Sequence, residues 1–268
     1  MNKVSVIVPC YKLAQYLPEA LDSVLAQSFR DWECIVVNDG SPDNTAEIID
    51  EYCRKDSRFK ALNLKNGGVI KARNEGVKLS HGDYLLFLDA DDILMPDYLE
   101  KAASRMDADA NVLIVTGPAE FFGEAKKSYK MVIPPFSRET MLGRNCIHIS
   151  SLVRRSDFDR VGGFSPDMAA GLEDWDFWLG ILEKDGEVVV LDTPAIRYRL
   201  RKDSRNKRIP DETLGTLRRN IWEHHKSLYS KHFPDPKASI EYQRLLFTCN
   251  KLRRFPGIRI YNALRKLI

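Results

Sequence analysis

Tyr84-Leu85-Leu86-Phe87-Leu88-Asp89-Ala90-Asp91-Asp92 is the stretch that decides how this 268-residue chain reads. Five apolar or aromatic residues describe a buried strand, and three carboxylates follow at once. Side chains alternate along a strand, with about 6.6 Å between residues two apart, so Asp89 and Asp91 are expected to face one space. Carboxylates at the end of a buried strand are costly unless something positive lies between them. Hard oxygen ligands of this kind suit Mg²⁺ or Mn²⁺, above all when phosphates complete the shell. The stretch points to a phosphorylated substrate handled through a divalent cation.

Working outward, strand and helix patterns alternate. Val4-Ser5-Val6-Ile7-Val8 is nearly all apolar, as suits a strand covered on both faces. Pro18 opens a helix to about Gln27, with Leu17, Leu21, Val24 and Leu25 as its inner stripe. Cys34-Ile35-Val36-Val37 is a second strand, closed by Asn38-Asp39-Gly40-Ser41-Pro42. A helix to about Lys55, a strand near Phe59–Leu64 and a helix from Asn66-Gly67-Gly68 to Ser80 precede the acidic strand. This rhythm predicts an α/β fold, a mostly parallel sheet flanked by helices. After Val112–Thr116 the pattern degrades, and residues 118–150 show no clean period. Order returns with Leu152–Arg155, a helix from Glu173 to Lys184, and closing strands at Val188–Leu191 and Ile196–Leu200. From Asp211 the chain reads as helical and aromatic. The expected division is a catalytic domain over 1–208, with halves at 1–116 and 117–208, and a helical C-terminal extension over 209–268.

Composition sets the outer bounds. At 44% hydrophobic and 29% charged, the chain is an ordinary globular protein. A net charge of +3 gives no footprint for nucleic acid. Five scattered cysteines, never spaced as CxxC, fit a reducing compartment without zinc site or disulfide framework. Val4–Val8 before Pro9 is no signal peptide, and no apolar run is long enough to span a bilayer. A cytoplasmic location is the expectation.

Ligands of open parallel sheets sit beyond the carboxyl ends of the strands. Three such ends carry chemistry here: Pro9-Cys10-Tyr11, Asp39, and Asp89–Asp92. Each has a plainer reading. Asp39-Gly40 is also a favoured turn pair, and the acids of Asp89–Asp92 also suit the start of a helix near Pro96. Asn66-Gly67-Gly68 opens a helix whether or not its N–H groups meet an anion. Arg73 reads equally as a surface arginine or a ligand contact. Glu173-Asp174-Trp175-Asp176 is favoured by the dipole of its own helix, or supplies a general base opposite the metal. The run Arg197, Arg199, Arg201, Lys202, Arg205, Lys207, Arg208 is a solvated face or a diphosphate clamp.

Taken in order, Val6-Ile7-Val8-Pro9-Cys10-Tyr11, Asn38-Asp39-Gly40-Ser41, Asn66-Gly67 with Ala72-Arg73-Asn74, Leu88–Asp92, Gly162-Gly163-Phe164 and Glu173–Asp176 resemble the family 2 glycosyltransferases of GT-A fold. The resemblance covers about residues 3–200. It implies a nucleoside-diphosphate sugar as donor, a UDP-sugar at family level, with a divalent cation (Mn²⁺ or Mg²⁺) and inversion at the anomeric carbon. It implies that Pro9 and Tyr11 border the base, that Asp39 accepts the base N–H, and that Asn66 and Arg73 hold the nucleotide. Asp89 would face the ribose or sugar, and Asp91 would bind the metal. Asp174 would be the general base, with Glu173 orienting the acceptor. One departure stands out. Many members carry Tyr-Arg-x-His after the closing strand, near the metal. Here Tyr198-Arg199-Leu200-Arg201 puts Arg201 there, a cation able to steady the diphosphate rather than a third metal ligand.

The expected acceptor is a glycan or lipid-linked saccharide of the cell envelope. One rival is a phosphohydrolase or phosphotransferase with Asp89 as nucleophile, although its Asp-x-Asp usually follows the first strand of a domain. A non-catalytic sugar-nucleotide module is the other. Cations interleave with apolar residues from Lys251 to Ile268 and no acid occurs among them, so the tail could lie on the inner face of an anionic membrane. Its alternative is a helix packed on the catalytic domain or on a homodimer partner.

Overall fold

The structure, a computed structural model, describes residues 3–123, 136–201 and 209–232. At its centre is β1 (Val4–Cys10), buried at all seven positions because it lies inside a sheet with both faces covered. It runs parallel to β2 (Trp32–Asn38) on one side and to β4 (Tyr84–Phe87) on the other. β3 (Phe59–Asn63) extends the sheet beyond β2. Past β4 come β8 (Leu152–Arg154), β6 (Val112–Thr116) and β9 (Glu187–Val190), in the order β3-β2-β1-β4-β8-β6-β9. β8 alone among these described strands runs against its neighbours. The mixed α/β, mostly parallel architecture is as expected.

Helices α1 (Leu17–Leu25), α2 (Thr45–Lys55), α3 (Val69–Leu79) and α4 (Tyr98–Ala108) connect the strands, each burying one stripe. α3 lies so close to the sheet that a Cβ at Gly76 would come within 2.6 Å of Ile7 Cγ2. A second, smaller sheet joins β5 (Ile93–Leu94), β10 (Ile196–Leu200) and β7 (Ala119–Gly123). β10, read from the sequence as a closing strand, pairs within this smaller sheet rather than the main one.

Two elements were invisible in the irregular 118–150 stretch. One is β7, half-exposed on both faces and hence without a hydrophobic period. The other is the single-turn-and-a-half α5 (Arg138–Gly143), started by Ser137, whose hydroxyl accepts from Thr140 N. α6 (Arg155–Val161) follows β8 and ends at Gly162 in the left-handed region. α7 (Glu173–Leu182) carries the second acidic cluster.

The chain forms two compact units, 1–225 and 226–268. α8 (Asp211–His224) is part of the first unit, burying Leu217 and Ile221. The boundary expected at 208/209 therefore falls inside that unit. α9 (Lys226–His232) is the described part of the second. The basic tail, 251–268, lies outside the described residues. No described helix is long and apolar enough to cross a membrane.

Candidate active site

The carboxyl ends of β1, β2 and β4 open on one cavity of about 1020 Å³. Pro9, Tyr11, Asp39, Asn66, Arg73, Asp89, Asp91, Glu173, Asp174 and Arg201 all line it. Its wall also holds Lys12 and Leu172, the non-glycine residues with positive φ (56° and 59°) among those described. Such strained backbone clusters where surrounding structure fixes a functional geometry.

At the β2 end, Asp39 is buried and braces a loop. Its two carboxylate oxygens accept from Gly67 N and Gly68 N, each at 2.8 Å, and Asn66 Nδ2 donates to the Asp39 backbone oxygen at 3.0 Å. Gly40, at φ +70°, lets that loop approach: a Cβ there would lie 2.7 Å from Asn66 N. Asp39-Gly40 is thus both a turn and a clamp on the start of α3. Tyr11, just past the neighbouring β1 end, stands 41% exposed, as a ring available for stacking must.

The acidic stretch is not a strand continuation. β4 stops at Phe87, and Asp89–Asp92 is a turn closed by Asp92 N donating to Asp89 O at 3.0 Å. Asp89 and Asp91 share the cavity because of this turn, not through strand alternation. Asp92 points inward instead: it is 1% exposed and accepts from Arg199 N at 2.8 Å. Burial, reinforced by Asp89 and Asp91, pushes its carboxyl well above the usual range. Asp91 is also raised, by burial and then by Asp89, with Arg201 opposing. Arg201 Nε lies 2.6 Å from Asp91 Oδ2, so a cation faces this carboxylate.

The rest of the basic run divides. Arg199 pairs with Glu19 at 3.0 Å and covers the rings of Tyr16 and Phe122, and Arg197 also covers Phe122. Neither lines the cavity, so a diphosphate clamp of several arginines is not formed by the described part of the run. Residues 202–208 lie outside the described residues.

Arg73 is neither a surface arginine nor open to a ligand on all sides. Buried to 3% exposure, its guanidinium joins Asp89 at 2.8 Å to Glu173 at 3.1 Å. Burial works against its charge, but the two carboxylates outweigh it and raise its pKa. The adjacent Asn74 explains two further motifs: its amide donates to Phe164 O at 2.9 Å and accepts from Phe164 N at 3.0 Å. Phe164 then packs on Phe87 and Phe177, fixing α7 against β4.

Asp174 completes the site. Asn145 Nδ2 donates to its Oδ2 at 2.9 Å, and Trp175 N donates to its Oδ1 at 2.8 Å. Burial, then the neighbouring Glu173 carboxylate, lifts its pKa to about 6. Sequence reasoning missed Asn145 and His148, which also lines the cavity, because both lie in the aperiodic stretch. His148 is kept neutral by burial, its pKa lowered to about 4, with Nε2 3.0 Å from Gly117 O.

Comparison with known proteins bears on what this cavity serves. Residues 5–176 match the family described as Glycosyl transferase family 2. The chain belongs to that family. Residues 5–176 are therefore a glycosyltransferase domain, which decides against the aspartyl phosphohydrolase reading. The glycosyltransferase GlyA of Streptococcus pneumoniae is 27% identical over 260 residues, 91% of this chain and 37% of GlyA. An uncharacterized glycosyltransferase of Haemophilus influenzae is 31% identical over 217 residues, 74% of this chain and 65% of that protein. EpsJ of Bacillus subtilis is 35% identical over 132 residues, 37% of its length. The chain thus spans little more than a third of the length of GlyA or EpsJ. Among solved structures, S. aureus TarS 1-349 in complex with UDP-GlcNAc shares the fold at a TM-score of 0.68 and 20% identity, covering 90% of this chain and 77% of that one. The mannosyltransferase PcManGT of Pyrobaculum calidifontis, in complex with GDP-Man and Mn2+, does so at 0.60 and 17%, covering 98% and 84%. The fold is GT-A.

Proposed function

We propose that this chain is a metal-dependent inverting glycosyltransferase. It moves a sugar from a nucleoside-diphosphate sugar, a UDP-sugar by preference, to a hydroxyl of a glycan or lipid-linked saccharide of the cell envelope. The observation that carries this reading is that Asp91, at the β4 turn, and Asp174, with a pKa near 6, line one cavity. At about 1020 Å³ the cavity is at the upper end of the roughly 300–1,000 Å³ usual for one small ligand, as room for donor and acceptor together requires.

Tyr11 and Pro9 border the base, and the Asp39–Asn66 clamp holds the loop against which the nucleotide lies. Asp89 faces the ribose or sugar, its orientation set by Arg73. Asp91 and Asp89 offer only hard oxygen donors, a set that fits Mg²⁺ or Mn²⁺. Such a cation, when bound, neutralises charge on the departing diphosphate. Arg201 adds fixed positive charge beside Asp91 for the same leaving group. Asp174 takes the acceptor hydroxyl's proton while that oxygen bonds to the anomeric carbon. The carbon–oxygen electron pair leaves with the nucleoside diphosphate on the opposite face, so configuration inverts. A carboxylate raised to about 6 is a better base than one near 3.9 and still ionised at pH 7. Glu173, held by Arg73, orients the acceptor.

A thermal-shift panel of nucleoside diphosphates and their sugars, with and without Mn²⁺, tests this. Stabilisation by one nucleotide that requires the metal is the expected result. Stabilisation by none, or equally by all without metal, would remove the donor assignment.

A further inference from the structure

Outside the cavity, the described residues hold one compact group of metal-ligating side chains: Asp176 on α7, His224 at the end of α8, and His225 just after it. Asp176 sits about 200° around α7 from Asp174 and does not line the cavity. Its Oδ1 lies 2.8 Å from His224 Nδ1 and 3.1 Å from His225 Nε2. All three ligand atoms fall within 4.8 Å of one another. Asp176 and His225 are each 6% exposed.

The outer nitrogens also face carboxylates. His225 Nδ1 is 2.9 Å from Glu183 Oε1, and His224 Nε2 is 3.8 Å from Asp167 Oδ2. A neutral His225 that donates its one N–H to Glu183 turns a bare Nε2 lone pair toward Asp176 Oδ1. Two lone pairs at hydrogen-bond distance repel unless positive charge stands between them. Neutral His224 can donate its Nδ1–H to the same oxygen, because among the described residues its Nε2 has no carboxylate within hydrogen-bond distance. His225, facing a carboxylate on each side, therefore calls for an extra proton or for a divalent cation shared with Asp176 and His224. An imidazole whose remote N–H meets a carboxylate is the usual companion of a metal-bound histidine.

We propose that Asp176, His224 and His225 form a second metal site, distinct from the donor cavity, for an imidazole-preferring ion of the zinc class. Two imidazoles and one carboxylate select Zn²⁺, Co²⁺ or Ni²⁺ over Mg²⁺, unlike the all-oxygen set of the cavity. Bonds of about 2.0–2.2 Å to each atom require shifts of only part of an ångström in Asp176 and the rings. The ion joins the carboxyl-terminal end of α8 to α7, behind the base, with water completing its shell.

The test is titration of the whole chain with Co²⁺, read by the ligand-field absorption of four-coordinate cobalt and competed with Zn²⁺ and with Mg²⁺. The expected result is uptake of one cobalt per chain that Zn²⁺ displaces and Mg²⁺ does not. His224→Gln, at an exposed position with little packing to lose, should abolish it. Glu183→Gln, which leaves all three ligands in place, should weaken it about 10–100-fold. Asp91→Asn should leave it intact. No four-coordinate cobalt in the wild type, or a titration indifferent to both His224→Gln and Glu183→Gln, would overturn the proposal and leave only acid–imidazole ion pairs.

Discussion

Asp174 shows how a single side chain acquires its chemistry from where the fold puts it. The sequence marks an acid at a helix start, but its base strength comes from burial and from Glu173, both tertiary facts. If Asp174 is the base, log kcat/KM should bend near pH 6 and fall about tenfold per unit below it, because the protonated form cannot accept. A profile flat from pH 7 to pH 5 would assign the proton elsewhere. The same shift has a stability consequence of determined sign. A carboxyl whose folded pKa is raised binds protons more tightly when folded, so the penalty of its charge is felt above pH 6 and fades toward its unfolded value near 3.8. Asp174→Asn should therefore melt higher than the wild type at pH 8, with the difference shrinking as pH falls to 4. The candidate residues were legible because acids next to apolar runs are conspicuous. Their partners were not. Nothing local to Arg73 says that it bridges Asp89 and Glu173, a hundred positions away from it, and Asn145 lies where no period exists to read.

Elements with two covered faces announced themselves most clearly, and two elements without a buried face or of very short length did not. β1, β2, β4 and β6 are buried along their whole length, so continuous apolar runs located them. β7 is part-exposed throughout and α5 is only six residues long, too little for either period to register. β10 has the composition of a sheet-closing strand, yet pairing with β5 and β7 is set by three-dimensional contacts absent from its own residues. The join between α3 and α7 is where element packing meets the site. Arg73 and Glu173 are both nearly inaccessible, so removing one partner leaves a buried charge uncompensated. Arg73→Met should destabilise the protein by about 3–5 kcal/mol in urea unfolding and disorder the acceptor side. A loss under about 1 kcal/mol would mean that the pair is solvated in solution and does not hold the two helices.

At the scale of the whole molecule, the sequence carried the mostly parallel α/β class but not the strand order of the sheet, and it did not show that α8 buries Leu217 and Ile221. The basic, apolar tail from Lys251 has a chemistry of its own. At about 1 kcal/mol per basic residue near an anionic surface, it should bind acidic phospholipid vesicles at low salt, release at high salt, and lose binding on truncation after Asn250. No sedimentation with such vesicles at low salt would remove the membrane contact. The central claim is that the strand tips and α7 serve one reaction from one cavity, with donor binding and proton removal divided between Asp91 and Asp174. Calorimetric titration of the nucleotide that passes the thermal-shift panel, with Mn²⁺, into Asp91→Asn and Asp174→Asn, beside release of nucleoside diphosphate from its sugar, tests this most directly. Both variants should lose turnover, while only Asp91→Asn loses metal-dependent binding. Equal loss of binding in both, or full turnover in Asp174→Asn, would contradict it.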